Sequence, residues 1–255
     1  MPNLDLDLTG RRALVTGSSR GIGLAIAALL ARHGARVAIH ARTDGPRPQE
    51  ALANLAGEGH TILAADLADP EAATALPSRA AEALGGLDIV VNNAGIYETM
   101  PQAGENPEQW RRIWEQTIAV NLTAPALICQ AAIPFVEPPQ GYIINVSSRG
   151  AYRGEAEAPA YGASKSGLNN LGQSLAVALA PRGVKIITLA PGWVETDMTR
   201  EILQGAVGPE VLAQFPMGRV IDPDELAWLV LLSVSGKVDS LTGTVIDLSG
   251  ASYLR

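Results

Sequence analysis

Short apolar runs rich in β-branched residues recur along the chain, with helix-like segments between them. The runs cover residues 13–16, 36–40, 61–66, 87–92, 142–147, 184–190 and 244–249. Several of them are apolar on both faces, as strands covered by helices on both sides must be. Strand and helix therefore alternate over the whole chain, which predicts an α/β fold with a doubly wound parallel sheet of about seven strands.

Two stretches interrupt this alternation. Residues 149–160 form a polar loop after the fifth predicted strand, and residues 191–220 begin with Pro191-Gly192 and carry few strand or helix signals. Loops longer than about 12–15 residues in a compact domain are often lids or binding loops. We therefore predict a substrate-binding lid at residues 193–220. No linker or repeat divides the chain, so residues 1–255 are expected to form one domain.

Composition and charge narrow the class of partner. The 255 residues are 47% hydrophobic and carry a formal net charge of -7, which disfavours nucleic acid and membrane surfaces and favours a small molecule. No apolar run has the roughly 18 residues of a membrane span, and the N-terminus does not resemble a signal peptide. The single Cys129 suits a reducing compartment, so we expect a cytoplasmic protein.

A glycine-rich turn joins the first predicted strand to the first predicted helix. It reads TGSSRGIG over residues 16–23. Glycines at such a turn let the backbone approach a diphosphate, which free N–H groups and the positive helix end stabilise. A tight turn that needs left-handed residues is the structural alternative. Its place on the first turn of an alternating chain favours dinucleotide binding.

The end of the second predicted strand bears on which dinucleotide binds. An acidic residue about 20 positions after the glycines usually accepts hydrogen bonds from the adenosine ribose of NAD. This chain has His40-Ala41-Arg42 there. A guanidinium can instead bind a 2′-phosphate, and Arg20 in the glycine turn offers a second one. We predict NADP(H) over NAD(H), although Arg42 as an ordinary solvated residue stays open.

Polar or turn-forming residues also follow the later strands. Asp66-Leu67 follows the third strand, residues 92–95 (NNAG) the fourth, Ser147-Ser148 the fifth and Pro191-Gly192 the sixth. Each group alone is compatible with turn chemistry. Because the carboxyl ends of parallel strands form one crevice, their joint arrangement predicts a single ligand site.

The segment YGASK, residues 161–165, places Tyr161 and Lys165 on one face of a predicted helix. A free phenol has a pKa of about 10, too high for efficient proton exchange near neutrality. A neighbouring ammonium, together with the positive charge of an oxidised nicotinamide, favours the phenolate and is expected to lower the pKa of Tyr161. The pair therefore suits acid/base chemistry.

Together these motifs resemble those of the short-chain dehydrogenase/reductase family. The resemblance rests on the glycine turn, Asp66, NNAG, Asn121, Ser148, YGASK and PGWVETDM at 191–198, and it reaches from the first strand to the final TVIDLSG. It implies a single-domain Rossmann-type fold with helices on both faces of the sheet. It also implies an NADP(H)-dependent enzyme that interconverts a ketone or aldehyde and an alcohol.

The resemblance further implies roles for individual residues. Tyr161 would be the general acid/base, Ser148 would hold the substrate oxygen, and Lys165 would also bind the nicotinamide ribose. Asn121 would support a water chain to that lysine, although a helix-bending role beside Pro125 stays open. The implied cofactor contacts, with no metal ligands, are Gly17, Ser18, Ser19, Arg20, Gly21, Ile22, Gly23, Arg42, Asp66, Leu67, Asn93, Ala94, Gly95, Tyr161, Lys165, Pro191, Gly192, Val194 and Thr196.

The substrate and the assembly are less well defined. The expected substrate region contains Tyr97, Arg149, Tyr152, Arg153, Glu155, Glu157 and Trp193. The arginines could bind an acidic substrate, but exposed pairs with the glutamates are the favoured interpretation. A homotetramer is implied by the resemblance, through helices at about 107–134 and 159–180 and the last strand with its tail.

Three other functions stay open. One is a 3-oxoacyl thioester reductase with an acidic carrier protein as partner; Arg182 could meet such a partner, whereas Glu137 adds an unhelpful carboxylate. Another is an NAD-linked sugar or polyol dehydrogenase. The last is a regulator that senses NADP(H) without turnover, which the presence of both Tyr161 and Lys165 disfavours.

Overall fold

The fold is built on one seven-stranded parallel sheet. The computed structural model describes residues 6–254 apart from 137, 140 and 207, so Glu137 lies outside the described residues. The strands are β1 Arg12–Val15, β2 Arg36–Ala41, β3 Thr61–Ala64, β4 Ile89–Asn92, β5 Tyr142–Val146, β6 Lys185–Pro191 and β7 Val245–Leu248. Their order is β3-β2-β1-β4-β5-β6-β7, and every pairing is parallel. The predicted doubly wound sheet is confirmed.

Helices cover both faces of this sheet. They are α1 Gly21–Arg32, α2 Pro46–Ala53, α3 Pro70–Leu84, α4 Pro107–Ile118, α5 Ala124–Ala132, α6 Pro159–Leu179, α7 Asp197–Gln204, α8 Gly208–Ala213 and α9 Pro223–Val234. One apolar core packs α1 and α9 on the sheet, and a second packs α3, α5 and α6 on the opposite face. No helix in the described part of the chain is long and apolar enough to cross a membrane.

Two predicted segments differ in the structure. The supposed lid loop contains two short helices, α7 and α8, and a parallel bridge between Val194 and Ile221 closes its base. The predicted helix at about 107–134 is divided by a π-helical turn at Ala119–Thr123. Both differences arise from features that a window of hydrophobic periodicity does not register: short helices held by tertiary contacts, and one widened turn.

A buried carboxylate joins the amino ends of two central strands. Asp88 is 6% exposed. It accepts hydrogen bonds from the Arg12 backbone N–H at 2.9 Å, from Arg12 Nε at 2.7 Å and from Arg12 Nη2 at 2.8 Å. Such a bidentate, largely buried pair contributes much more than an exposed one. It lies at the end of the sheet opposite the carboxyl ends of the strands, so its role is stability.

We predict that Asp88→Ala lowers the free energy of unfolding by about 3 kcal/mol, because the Arg12 guanidinium loses its partner in a largely buried position. Urea denaturation measures this loss. The control is Arg112→Ala, which breaks a pair of 2.7 Å to Glu98 between side chains that are 54% and 38% exposed. It should cost less than about 1 kcal/mol. Equal losses in the two variants would contradict the prediction.

Candidate functional site

The glycine turn between β1 and α1 has a shape that only glycines allow. Gly17 and Gly21 have φ angles of 64° and 55°, in the left-handed region. A Cβ on Gly23 would lie 2.5 Å from both Asn93 Nδ2 and the Gly17 carbonyl oxygen. No side chain caps the first N–H groups of α1, which therefore face the carboxyl edge of the sheet. This is the local geometry of an anion site.

A buried histidine holds this turn in place. The Gly17 N–H donates to His40 Nδ1 at 3.0 Å, and His40 Nε2 lies 3.0 Å from the Ala65 carbonyl oxygen. Because a carbonyl oxygen only accepts, Nε2 carries the proton and the ring is neutral. Burial also lowers the pKa of His40. Sequence reasoning noted His40 only as a residue that is not acidic, and missed this structural role.

Thr16 connects the glycine turn to the NNAG segment. Its Oγ1 accepts from the Asn93 and Ala94 N–H groups at 2.9 and 3.0 Å and lies 3.2 Å from the Val91 carbonyl oxygen, to which it donates. A second bond joins the same two residues, because Asn93 Nδ2 donates to the Thr16 carbonyl oxygen at 2.8 Å. The predicted cofactor residues Asn93 and Ala94 are therefore fixed beside the turn. Thr16 stood in the quoted motif but was not singled out.

Ser18 forms hydrogen bonds inside the protein. It is fully buried, its N–H donates to the His40 carbonyl oxygen at 3.0 Å, and its Oγ donates to the Val15 carbonyl oxygen at 2.6 Å. Its N–H and hydroxyl therefore bond inside the protein, and its contact with the cofactor stays a prediction. Arg20 and Arg42 are both exposed, at the ends of the neighbouring strands β1 and β2.

The remaining predicted cofactor residues lie along the same edge. Asp66 is exposed and its Oδ1 accepts from the Ala68 N–H at 3.0 Å, whereas Leu67 is buried. Thr196, near the start of the predicted lid, approaches the glycine turn, because its Cγ2 lies 3.3 Å from the position of a Cβ on Gly21. The others on this edge are Ser19 and Ile22 in the turn, Pro191 and Gly192 at the end of β6, and Val194.

Lys165 and Asn121 meet around Gly95. A Cβ on Gly95 would lie 3.4 Å from both Lys165 Nζ and Asn121 Oδ1, so the glycine leaves space between the two side chains. Lys165 is 4% exposed, and its Nζ donates to the Val146 carbonyl oxygen at 2.9 Å. Burial lowers the pKa of Lys165 to about 8.

Asn121 lies on the π-helical turn and is fully buried. Its Oδ1 accepts from the Ile96 N–H at 2.8 Å, and its Nδ2 donates to the Ile96 carbonyl oxygen at 2.9 Å. The turn is widened because the Ala124 N–H donates to the Ala119 carbonyl oxygen, five residues earlier, and Pro125, which has no N–H, follows directly. The buried amide thus has partners, and the helix is also distorted beside Pro125.

Tyr161 and Ser148 form the centre of the site. Ser148 Oγ accepts from the Gly150 N–H at 3.0 Å, and the Ser148 hydroxyl lies near the Tyr161 phenol. Burial raises the pKa of Tyr161, the neighbouring Ser148 hydroxyl opposes this, and the charge of Glu155 adds to it. Lys165 Nζ is 5.7 Å from the Tyr161 ring centroid and points to a carbonyl. Burial is therefore the largest influence on the pKa of Tyr161, and the expected lowering by this ammonium does not contribute.

The substrate region differs most from the sequence interpretation. Arg149 is 5% exposed rather than solvated, its Nη2 donates to Gln214 Oε1 at 2.7 Å, and its guanidinium lies 5.7 Å from the Phe215 ring centroid. Its Nη1 is buried with no hydrogen-bond partner among the described residues. Arg153 is exposed and donates to the same Gln214 oxygen at 3.4 Å. The expected exposed pairs with glutamates are not formed by Arg149.

Of the three aromatic residues expected here, one packs on Tyr161. The Tyr97 ring meets it edge-to-face, with centroids 5.1 Å apart, and Tyr97 is 47% exposed. Tyr152 instead stacks on Tyr253 at 6.2 Å, and Trp193 packs against the core that contains α1 and α9. Tyr97 is therefore the aromatic wall of the candidate site.

Comparisons with known proteins agree with this geometry. The family model described as "Enoyl-(Acyl carrier protein) reductase" matches residues 17–250. A Vibrio cholerae protein named 3-oxoacyl-[acyl-carrier-protein] reductase FabG is 36% identical over 250 residues, covering 98% of this chain and 100% of its own length. A cis-4-hydroxycyclohexanecarboxylate dehydrogenase of Sinomonas cyclohexanicum is 34% identical, over 94% of this chain and 95% of its own.

The fold is similarly close to solved structures. A short-chain dehydrogenase from Burkholderia cenocepacia J2315, crystallised in complex with NADP, superposes with a TM-score of 0.85. It is 36% identical, and the match covers 96% of this chain and 98% of that one.

The buried Lys165 gives a prediction on pH. Its pKa falls from 10.5 to about 8, so between these values the unfolded chain binds more protons than the folded one, and folding gains stability as pH rises. We expect the difference in unfolding free energy, wild type minus Lys165→Met, to rise by about 2 kcal/mol from pH 8 to pH 10. Urea unfolding of both proteins measures it, with Lys237→Met as the exposed control. A difference in unfolding free energy that stays constant from pH 8 to pH 10 would contradict a lowered pKa of Lys165.

Proposed function

Because the chain belongs to the short-chain dehydrogenase/reductase family, we propose that it is an NADP(H)-dependent oxidoreductase that interconverts a ketone or aldehyde and an alcohol. The observation that carries the proposal is the convergence of four side chains at the carboxyl edge of the sheet, beside the glycine turn. The Ser148 hydroxyl lies near the Tyr161 phenol and lowers its pKa, and Lys165 and Asn121 lie on either side of the same position at Gly95.

The residues at this edge fit a phosphorylated dinucleotide. The uncapped N–H groups at the start of α1 suit a diphosphate. The exposed guanidiniums of Arg20 and Arg42 lie at the ends of adjacent strands, where a 2′-phosphate would need them. At Gly95 no side chain covers Lys165 Nζ, which would bind the ribose hydroxyls. These contacts support NADP(H), and the NADP-bound neighbour is consistent with them.

The four side chains supply the proton chemistry. When bound, the reduced nicotinamide supplies a hydride to the carbonyl carbon and is itself oxidised. Tyr161 then donates its phenolic proton to the carbonyl oxygen, which receives the electron pair of the C–O double bond. Burial keeps Tyr161 protonated near neutrality, which suits reduction. Ser148 holds the oxygen next to that proton, and Lys165, charged below about pH 8, stabilises the phenolate that remains.

The lid belongs to the same proposal. Thr196, at its start, approaches the glycine turn, whereas Gln214 and Phe215, near its end, contact Arg149 beside Ser148. The segment 193–220 therefore extends from the cofactor side to the substrate side of the site. We propose that it covers the substrate within a single domain.

A second candidate is reduction of a 3-oxoacyl thioester. The name of the Vibrio cholerae relative favours it. Arg182, which is exposed after α6, is one basic residue that an acidic carrier protein could meet. An acetoacetyl thioester therefore belongs among the first carbonyl substrates to be assayed with NADPH.

Tyr161→Phe tests the mechanism. The variant loses the proton donor but keeps the ring, so turnover should fall by about 10²–10⁴-fold while NADPH binding changes little. Initial rates of NADPH oxidation and a fluorescence titration with NADPH measure the two effects. Tyr253→Phe, which removes another tyrosine hydroxyl, should keep its turnover. A Tyr161→Phe variant with wild-type turnover would refute the proposed role.

Arg42→Ala tests the cofactor preference. Loss of a charged hydrogen-bond donor to the 2′-phosphate should weaken NADPH binding about tenfold and leave NADH binding nearly unchanged. Arg20→Ala should act in the same direction. Arg47→Ala, an exposed arginine on α2, is the control for net charge. A wild-type protein that binds NADH more tightly than NADPH would argue against the roles of Arg20 and Arg42.

A further inference from the structure

A carboxylate faces the catalytic serine from the loop before α6. Glu155 Oε1 lies 2.9 Å from the position that a Cβ on Gly150 would occupy, and Ser148 Oγ lies 3.4 Å from the same position. The Glu155 carboxylate and the Ser148 hydroxyl therefore both pack against the position that a side chain at Gly150 would need. Glu155 is partly exposed, so a ligand in the site can reach it.

The electrostatics agree with this placement. The charge of Glu155 acts on both Tyr161 and Tyr97, the two rings that pack edge-to-face at the site. It therefore lies close to where the substrate carbonyl would be held. Neither the mechanism nor the cofactor contacts use this carboxylate.

The charges around Glu155 restrict what it can bind. Arg149 interacts with Glu155 from the buried side, while its Nη2 is held by Gln214. Arg153 and Glu157, the other charged residues of the loop, are exposed and opposite in sign. The loop is therefore neutral as a whole, which gives no net attraction for a cationic or an anionic substrate. A carboxylate in such surroundings is suited to a neutral hydrogen-bond donor.

We propose that Glu155 accepts a hydrogen bond from a substrate hydroxyl near the reacting carbon, so that the substrates are hydroxy ketones and the corresponding diols. This inference rests on the proposed function and names the substrate class of the same site. A ketone with an alkyl group in that place would leave the carboxylate desolvated and unpaired, which is costly. A keto acid would place a second negative charge beside it.

Three ethyl ketones of similar size test the proposal with NADPH as reductant. They are 1-hydroxy-2-butanone, 3-pentanone, in which a methyl group replaces the hydroxyl, and 2-oxobutanoate, in which a carboxylate replaces the hydroxymethyl group. Values of kcat/KM are measured for the wild type, Glu155→Leu and Glu155→Gln. Because a hydroxyl also changes the reactivity of the ketone, the change of the ratio between variants is the readout.

In the wild type the hydroxy ketone should be the best of the three. The ratio of hydroxy ketone to 3-pentanone should fall at least about tenfold in Glu155→Leu, as expected for a lost hydrogen bond to a charged acceptor. Glu155→Gln, which keeps an acceptor without the charge, should give an intermediate ratio and improve 2-oxobutanoate. The Glu155→Gln variant also keeps the test decisive if Glu155→Leu does not fold. Glu157→Gln, which removes a charge from the same loop, should keep the wild-type ratio.

A ratio that stays within about twofold of the wild type in both Glu155 variants overturns the proposal. So does a wild-type preference for 2-oxobutanoate, which would assign substrate binding to Arg149 instead. In either case, turnover that Tyr161→Phe abolishes would leave the proposed function intact. If the wild type reduces none of the three ketones, the hydroxy ketone assignment fails. If it also shows no Tyr161-dependent turnover of any carbonyl, including the thioester, the proposed function fails with it.

Discussion

One hydroxyl group holds together the place where the strand order of the sheet reverses. The chain leaves β1 through the glycine turn and β4 through NNAG, and these two exits lie side by side because β1 and β4 are neighbours. Thr16 Oγ1 accepts hydrogen bonds from the N–H groups of Asn93 and Ala94, and these bonds hold the two exits together. A Cβ on Gly17 would lie 2.9 Å from Ala94 Cα, so the turn tolerates no larger residue. These contacts fix the spacing between the candidate anion site and the candidate catalytic side chains.

Around this junction the protein buries basic groups against backbone carbonyls. His40 contacts Ala65 and Lys165 contacts Val146 through such bonds, whereas the buried Arg149 relies on the side chain of Gln214. Burial lowers the pKa of all three. Lys165 and Arg149 cost free energy of folding, because each charged group gives up water for few protein partners, whereas both ring nitrogens of His40 have one. In return, these buried side chains have little freedom to move, so they hold their polar atoms at fixed positions in the site.

Much of this architecture could be predicted from the sequence, and the exceptions have physical causes. Buried parallel strands are apolar on both faces, so they could be located in the sequence as continuous apolar runs, without an alternation of apolar and polar residues. Short helices such as α8 gave no signal because six residues do not form a stable helix without tertiary contacts. The environment of Arg149 was misjudged because its loop is rich in charged residues, whereas Gln214, which binds it, is more than fifty positions later in the chain. The hydrogen bonds formed by His40 depend on which atoms meet across two strands, and a sequence motif does not specify these contacts.

The π-helical turn at Ala119–Thr123 has a consequence for chain length. A π turn contains one residue more than an α-helical turn, so it amounts to an insertion that the fold has absorbed. Deleting a residue there would restore regular α-helix with little rotation of α5, because the widened turn already takes up the extra residue. A further inserted residue that continued as α-helix would instead rotate everything after it by about 100° relative to α4. The apolar face of α5, including Ile128 and Ala132, would then turn away from α3. A deletion is therefore easier to accommodate in this segment than a second insertion.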